Sequence, residues 1–222
     1  MNAKLLLLVV LVAGAVGAWT WRAGESGARS PRGSSSAAQA LPHAWPPVRG
    51  QRYPDLELPD HRGTLTRLSS FEGKVIVVEP IGMACPACQA YAGAHEVGTF
   101  GGAGAQQGLP SFGKLLRQYA GIDWEREPDL VYVHLLLYDM TSARAPTVAD
   151  ARAWAEHFGV DRAENAVVLV GDERYVNPAS YALVPGFQVI DRGFALRYDG
   201  SGHHPVDHPY EAALAGIPGL LR

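Results

Sequence analysis

The sequence contains very little cysteine: only two of its 222 residues are cysteines. A framework of several disulfides is therefore excluded, and so is a zinc site built from two cysteine pairs. The chain also lacks an excess of basic residues, since its formal net charge is −3. It has no basic footprint for nucleic acid, and we expect no nucleic-acid partner.

The two cysteines that are present, Cys85 and Cys88, follow the apolar run at 75–78 and are separated by two residues. If a helix begins at Cys85, unpaired backbone N–H groups and the helix dipole favour its thiolate. Cys88, one turn later, is then close enough to form a disulfide with it. This spacing favours thiol–disulfide exchange. Half of a zinc site and an inert structural disulfide are the alternatives.

An uncharged apolar stretch runs from Leu5 to Trp21. It is at the short end of what spans a bilayer, and it also suits the core of a signal peptide. We predict that residues 1–21 are a membrane anchor or signal segment, and we favour an uncleaved anchor because Trp19 and Trp21 suit a membrane interface. The distribution of positive charge around this segment is neutral or adverse for the orientation that we expect. We therefore place the remainder of the chain on the extracytoplasmic, periplasmic side because an exposed dithiol pair with a redox role suits an oxidising compartment.

Composition divides the remainder of the chain. Residues 22–50 are rich in Gly, Ser, Ala and Pro and predict a flexible linker. Residues 51–222 are long enough for one domain with a substantial core. Within that domain, glycines accumulate at about 92–110 and predict a loop that is an insertion.

Strand and helix patterns alternate through the domain, which predicts an α/β fold with a sheet covered on both faces. The clearest helix begins at the capping motif Thr147-x-x-Asp150 and ends at Gly159. The other predicted elements are a hairpin of 56–58 and 64–66, strands at 74–79, 130–138, 166–170, 187–190 and 194–198, and helices at 85–92, 111–119 and 209–215.

Two features together resemble the thioredoxin-like redoxins, and most closely the membrane-tethered TlpA/ResA type. One is Cys-x-x-Cys at a strand-to-helix junction. The other, roughly a hundred residues later, is Val184-Pro185 before a strand that ends in Ile190-Asp191 and turns through a glycine. The resemblance covers most of residues 51–222. It implies a thioredoxin-like fold, with a central mixed sheet, helices on both faces and an N-terminal hairpin extension.

The resemblance also implies a set of catalytic residues: Cys85, Cys88, Glu79 and Pro185. Pro185 would follow a cis peptide bond opposite the disulfide, and Val184 would pair its backbone with an extended client segment. Glu79, six residues before Cys85, would lie beneath the active site with a raised pKa and act as general base for Cys88. The alternative is a glutamate at the end of the strand that reaches solvent.

The function implied is that of a membrane-tethered thiol–disulfide oxidoreductase, and we favour a reductant because most tethered relatives are reductants. Its partners would be client proteins with disulfides or thiols, an upstream membrane redox donor or acceptor, and the membrane itself through residues 5–21. No organic cofactor is expected, because the cysteine pair stores two electrons. Ala84 replaces the aromatic residue usual before the first cysteine, so partner selection is expected to differ.

Three rival functions remain open. A Sco-like copper-binding protein would need a histidine near the Val184 position, and the histidine-rich tract His203, His204 and His208 is the nearest candidate. A peroxiredoxin fits poorly, because Gly82 stands where its motif requires threonine. A tethered binding module would use the disulfide only as a staple. His134, inside an apolar run, is expected to be a core histidine.

Overall fold

A computed structural model describes Leu41 and residues 43–222. The predicted anchor or signal segment and most of the predicted linker lie outside the described residues. Within residues 43–222, no helix combines the length and apolar character needed to cross a membrane.

The order of elements alternates strands and helices, as expected for an α/β fold. The strands are β1 (Glu57–Pro59), β2 (Leu65–Arg67), β3 (Val75–Gly82), β4 (Leu130–Tyr138), β5 (Ala166–Val170), β6 (Gly186–Ile190) and β7 (Leu196–Ser201). The α-helices are α1 (Pro86–Ala92), α2 (Ala94–Val97), α3 (Phe112–Ala120), α4 (Val148–Phe158), α5 (Pro178–Tyr181) and α6 (Ala215–Leu221). Short 3-10 helices connect several of them, and a π-helix, Pro209–Leu214, leads into α6.

Five of the strands form one mixed sheet in the order β5-β4-β3-β6-β7. β3, β4 and β5 are parallel to one another, while β6 is antiparallel to both β3 and β7. Strands β1 and β2 form a separate antiparallel hairpin, which touches the edge strand β5 through a bridge between Asp60 and Leu169. The predicted mixed sheet with an N-terminal hairpin is therefore confirmed.

The interior strands β3 and β4 are buried along their entire length, which explains their continuous apolar sequences. The prediction ended β3 at Glu79, but the strand continues to Gly82. Strand β6 pairs only with Ile76–Val78, so one side of β3 is already unpaired at Pro80. A residue without an N–H group is tolerated there, and Glu79 lies inside the strand instead of at its end.

One face of the sheet carries Glu79, Tyr132 and His134. These residues share a face because side chains alternate along a strand and Glu79 is paired in register with His134. Helices cover this face: Phe112 of α3 stacks on Tyr132 with 3.9 Å between ring centroids, and Nε1 of Trp154 in α4 donates to Nδ1 of His134 at 3.1 Å. His134 is a core histidine, as expected.

The opposite face is covered by the chain that precedes β1. The Tyr53 hydroxyl donates to Oε1 of Gln188 at 2.7 Å, and both residues are buried. Packing extends further toward the N-terminus, because Nε1 of Trp45 donates to the Ser180 hydroxyl at 2.8 Å and Arg49 pairs with Asp207 at 2.7 Å. The domain therefore begins before Gln51, where the prediction placed its start.

Three local predictions need correction. The glycine-rich stretch is not all loop, since it contains α2 and a 3-10 turn at Phe100–Gly102. Strand β7 begins at Leu196 and not at Phe194, because Phe194 has a positive φ of 64° that no regular strand adopts. The final helix extends to Leu221, although Pro218 lies inside it.

Candidate active site

The strand-to-helix junction places Cys85 at the N-cap of α1. Its backbone is extended, and its Sγ accepts a hydrogen bond from the backbone N–H of Cys88 at 3.5 Å. Pro86 occupies the first helical position, where a backbone N–H would have no partner within the helix, so this proline starts the helix at little cost. The local sequence thus aims the Cys85 sulfur at the free N–H groups of the first turn.

The Cys85 thiol is easily ionised. Its pKa is lowered from 9.0 to about 6, mainly because Cys85 accepts a hydrogen bond from the Cys88 thiol, with further help from the backbone N–H groups of Cys88 and Ala87. Partial burial opposes this shift. Cys85 is half-buried, so a thiolate at this position remains within reach of another molecule.

Cys88 has the opposite character. Its exposed fraction is 0%, and its Sγ lies 3.9 Å from the carbonyl oxygen of Pro80. Burial raises its pKa well above the ordinary value, and the negative charges of Cys85 and Glu79 raise it further. Both cysteines are free thiols, so the structure describes the reduced pair.

Glu79 does not reach solvent, because its exposed fraction is 0%. Its Oε2 accepts a hydrogen bond from the Tyr132 hydroxyl, while Oε1 has no hydrogen-bond partner in the described part of the chain. Burial raises the pKa of Glu79 well above its ordinary value. Among the described residues no hydrogen bond joins Glu79 directly to Cys88, although the charge of Glu79 is near enough to contribute to the raised pKa of Cys88.

Pro185 closes the other side of the site. The Val184–Pro185 peptide bond is cis, as the resemblance implies, and Val184 lies in the same pocket as Cys85. The backbone N–H of Val184 already donates to the carbonyl of Tyr181 at 3.1 Å. The carbonyl of Val184, in contrast, accepts no hydrogen bond within the described residues.

A pocket of about 290 Å³ opens beside the Cys85 sulfur. Its wall is mostly apolar or aromatic and includes Tyr138 and Tyr181, whose rings meet edge to face with centroids 5.9 Å apart. Tyr181 is 58% exposed. The other lining residues are Gly82, Ala84, Cys85, Pro86, Ser142, Val184 and His203.

The histidine tract does not act as one unit. His203 lines the pocket, His204 is exposed, and Nδ1 of His208 accepts from the backbone N–H groups that open the C-terminal helix. Within residues 43–222, no cluster of three or more His, Cys, Asp or Glu side chains is arranged to hold a metal ion. The copper-binding alternative stays a prediction.

Sequence reasoning missed Tyr132 as the partner of Glu79. The two residues are 53 positions apart, and only the parallel register of β3 and β4 brings them together. A signal was present nonetheless: Tyr132 and His134, two positions apart, are neighbouring residues able to hydrogen-bond on one face of a mostly apolar run. Such a pair beside a buried carboxylate points to hydrogen bonding inside the core.

Comparison with solved protein structures identifies the fold to which this chain is similar. No protein-family model matches the chain, and no curated protein sequence matches it. A proposed protein disulfide isomerase from Bacteroides thetaiotaomicron matches over 79% of this chain and 91% of its own, with 15% identity and a TM-score of 0.50. The fold is thioredoxin-like.

Two further structures give the same result. A proposed electron transfer protein from Aquifex aeolicus matches over 79% of this chain and 99% of its own, with 15% identity and a TM-score of 0.50. An uncharacterized conserved protein from Geobacillus kaustophilus matches over 78% and 82%, with 19% identity and a TM-score of 0.50. At these identities the likeness concerns the thioredoxin-like fold alone.

Proposed function

We propose that the protein is a thiol–disulfide oxidoreductase that exchanges a Cys85–Cys88 disulfide with client proteins. The single observation that carries this proposal is the asymmetry of the two thiols. Cys85 is half-buried with a pKa near 6, whereas Cys88 is fully buried with a raised pKa. A nucleophile must be ionised and accessible, and a resolving thiol must wait until the mixed disulfide has formed.

The reaction then proceeds in two steps. The Cys85 thiolate attacks a client disulfide, a mixed disulfide forms, and one client sulfur leaves as a thiolate. Cys88 next gives its proton to the Glu79 carboxylate and attacks the Cys85 sulfur, which closes the Cys85–Cys88 disulfide and releases the second client thiolate. The client gains two electrons, and the cysteine pair loses them.

The pocket beside Cys85 is the proposed client surface. The aromatic rings of Tyr138 and Tyr181 favour an apolar or aromatic side chain next to the client cysteine. The free carbonyl of Val184 would hold the client backbone in an extended form. Ala84 stands where an aromatic residue is usual before the first cysteine, and the tyrosines of this pocket would supply the aromatic contact to the client instead.

Cellular context completes the proposal. Residues 5–21 would tether the domain to the membrane on its extracytoplasmic side, where disulfides persist. The protein would act there as a reductant, and a membrane thiol donor would reset the Cys85–Cys88 disulfide. The TlpA/ResA type is the family that this combination of tether, Cys-x-x-Cys and Pro185 resembles.

Client trapping tests the function. In Cys88→Ser the second step is blocked, so we expect the full-length variant to accumulate mixed disulfides with client proteins in cells. The matched control, Cys85→Ser, retains one buried thiol and should trap no clients. Equal trapping by the two variants, or trapping by neither, would contradict the assigned roles.

A further inference from the structure

A second pocket lies on the Glu79 face of the sheet. It has a volume of about 190 Å³, and its deep wall includes Tyr132 and His134. Toward solvent it is bordered by charged, exposed residues of three different segments, namely Glu96, Arg117 and Glu125. The pocket thus reaches from the surface to Tyr132, the residue whose hydroxyl donates a hydrogen bond to Glu79.

Two buried polar atoms beside this pocket have no partner. Nε2 of His134 and Oε1 of Glu79 make no hydrogen bond within the described residues, although both side chains are at most 1% exposed. Buried polar groups without protein partners are usually satisfied by ordered water. The pocket has both the volume and the polar lining that several waters require.

The proposed reaction requires a path by which a proton can leave the buried side of the active site. During the second step a client is still bonded to Cys85 and covers the mouth of the pocket on that side. Cys88 and Glu79 are both fully buried, so the proton that Cys88 releases cannot pass directly to solvent there. A proton exchange path that stays open must reach Glu79 from another direction.

We propose that Tyr132 connects Glu79 to water in this second pocket, and that the proton released by Cys88 leaves the protein by this route while the client is still bound. Glu79 takes the proton from Cys88. The protonated carboxyl then gives a proton to the Tyr132 oxygen, which passes its own proton to pocket water, so both groups return to their starting states. Tyr132 is a positioning and relay residue, and the inference rests on the proposed function.

The surroundings of Glu79 fit this role. From α1 it is faced by Cys85, Cys88 and Tyr91, and from β4 by Tyr132 and His134. None of these carries a positive charge that would hold the carboxylate permanently ionised, because burial lowers the pKa of His134 to about 3. The Tyr132 hydrogen bond is the contact that opposes the effect of burial on Glu79.

The test separates the two steps with a symmetrical aromatic disulfide, 5,5′-dithiobis(2-nitrobenzoate), and the reduced full-length protein. Attack by Cys85 releases the first coloured thiolate, and resolution by Cys88 releases the second. For Tyr132→Phe we expect an unchanged first release and a second release that is slower by about tenfold at pH 7, with a larger solvent deuterium isotope effect. The phenyl ring keeps the stacking on Phe112.

Two other variants complete the experiment. Tyr91→Phe removes a hydroxyl that borders the same pocket but bonds to Tyr210, so it should leave both releases unchanged. Val97→Trp, at a 54% exposed position on the pocket wall, should narrow the pocket and slow only the second release. It keeps the proposal testable should Tyr132→Phe fail to fold.

The outcomes distinguish the relay from the function on which it rests. If Glu79→Gln slows the second release but Tyr132→Phe and Val97→Trp do not, the relay is wrong and the oxidoreductase mechanism stands. If Glu79→Gln has no effect on the second release, Glu79 is not the base. A single release, with no second step in the wild-type protein, would overturn the proposed function itself.

Discussion

Cys85 and Cys88 lie within one helical turn, yet the fold gives them opposite environments. Cys85 is at the N-cap, half-buried beside an apolar pocket, and its pKa is lowered to about 6. Cys88 is fully buried in the core, and its pKa is raised. The two residues are chemically identical, so the chemistry of this Cys-x-x-Cys motif comes from the position of the helix start relative to the sheet.

The two sides also differ in how protons reach them. The Cys85 side is open to solvent and to clients, so its ionisation is set by hydrogen bonds at the helix start. The Cys88 side contains a buried carboxyl, a buried tyrosine hydroxyl and a histidine nitrogen with no hydrogen-bond partner in the part of the chain that the structure describes, all on one sheet face. Proton movement on that side depends on internal groups.

The largest effect that we expect in a comparison of the two sides is on stability as a function of pH, measured in the reduced protein by urea unfolding. In the unfolded chain Glu79 ionises at its ordinary pKa, whereas in the folded protein it stays protonated to higher pH. Between these two values the folded state binds one more proton at Glu79, so the contribution of Glu79 to the free energy of unfolding falls as pH rises, by up to about 1.4 kcal/mol per pH unit. The lowered pKa values of His134 and Cys85 act in the opposite direction, so the Glu79 contribution is measured as the difference between the wild type and Glu79→Gln.

Glu79→Gln removes this contribution. The variant should match the pH dependence of the wild type below the ordinary glutamate pKa and become progressively more stable than the wild type above it. Parallel stability curves for the two proteins from pH 4 to 9 would show that Glu79 is not held in a site that penalises its charge.

A smaller effect is expected on the open side. Tyr181→Ala removes an exposed ring from the wall of the Cys85 pocket, and we expect kcat/KM for reduction of an aromatic disulfide peptide to fall about fivefold, corresponding to about 1 kcal/mol. Val206→Ala, at another exposed apolar residue that does not border the pocket, is the control. Equal effects of both substitutions would show that the pocket does not contribute to client binding.

Much of the fold could be predicted from sequence because local patterns determine it. The capping box of Thr147 and Asp150 is present with both hydrogen bonds, and β5 has the predicted limits, Ala166–Val170. Strand β4 also matches its prediction, Leu130–Tyr138, because a nine-residue apolar run fits only a buried strand here. Where one segment carries its own signal, the prediction was right.

Several of the errors share one cause, which is contact between distant segments. Strand β3 was predicted to end at Glu79, but the short pairing of β6 makes Pro80 tolerable inside the strand. Trp45 belonged to a segment with the composition of a linker, and its hydrogen bond to Ser180 joins residues 135 positions apart. The Glu79–Tyr132 hydrogen bond and the second pocket likewise depend on register and helix packing, which no local pattern contains.

The proposed function requires that Cys85 is ionised and accessible at neutral pH while Cys88 is protonated and shielded. Alkylation of the reduced full-length protein by iodoacetamide from pH 4 to 9, with each cysteine followed by peptide mass spectrometry, tests it most directly. We predict that the rate at Cys85 rises through a midpoint near pH 6, as its lowered pKa requires, and that Cys88 reacts at least about 100-fold more slowly at pH 7. Equal rates at the two cysteines at pH 7, or a Cys85 midpoint at the ordinary thiol value, would contradict the account.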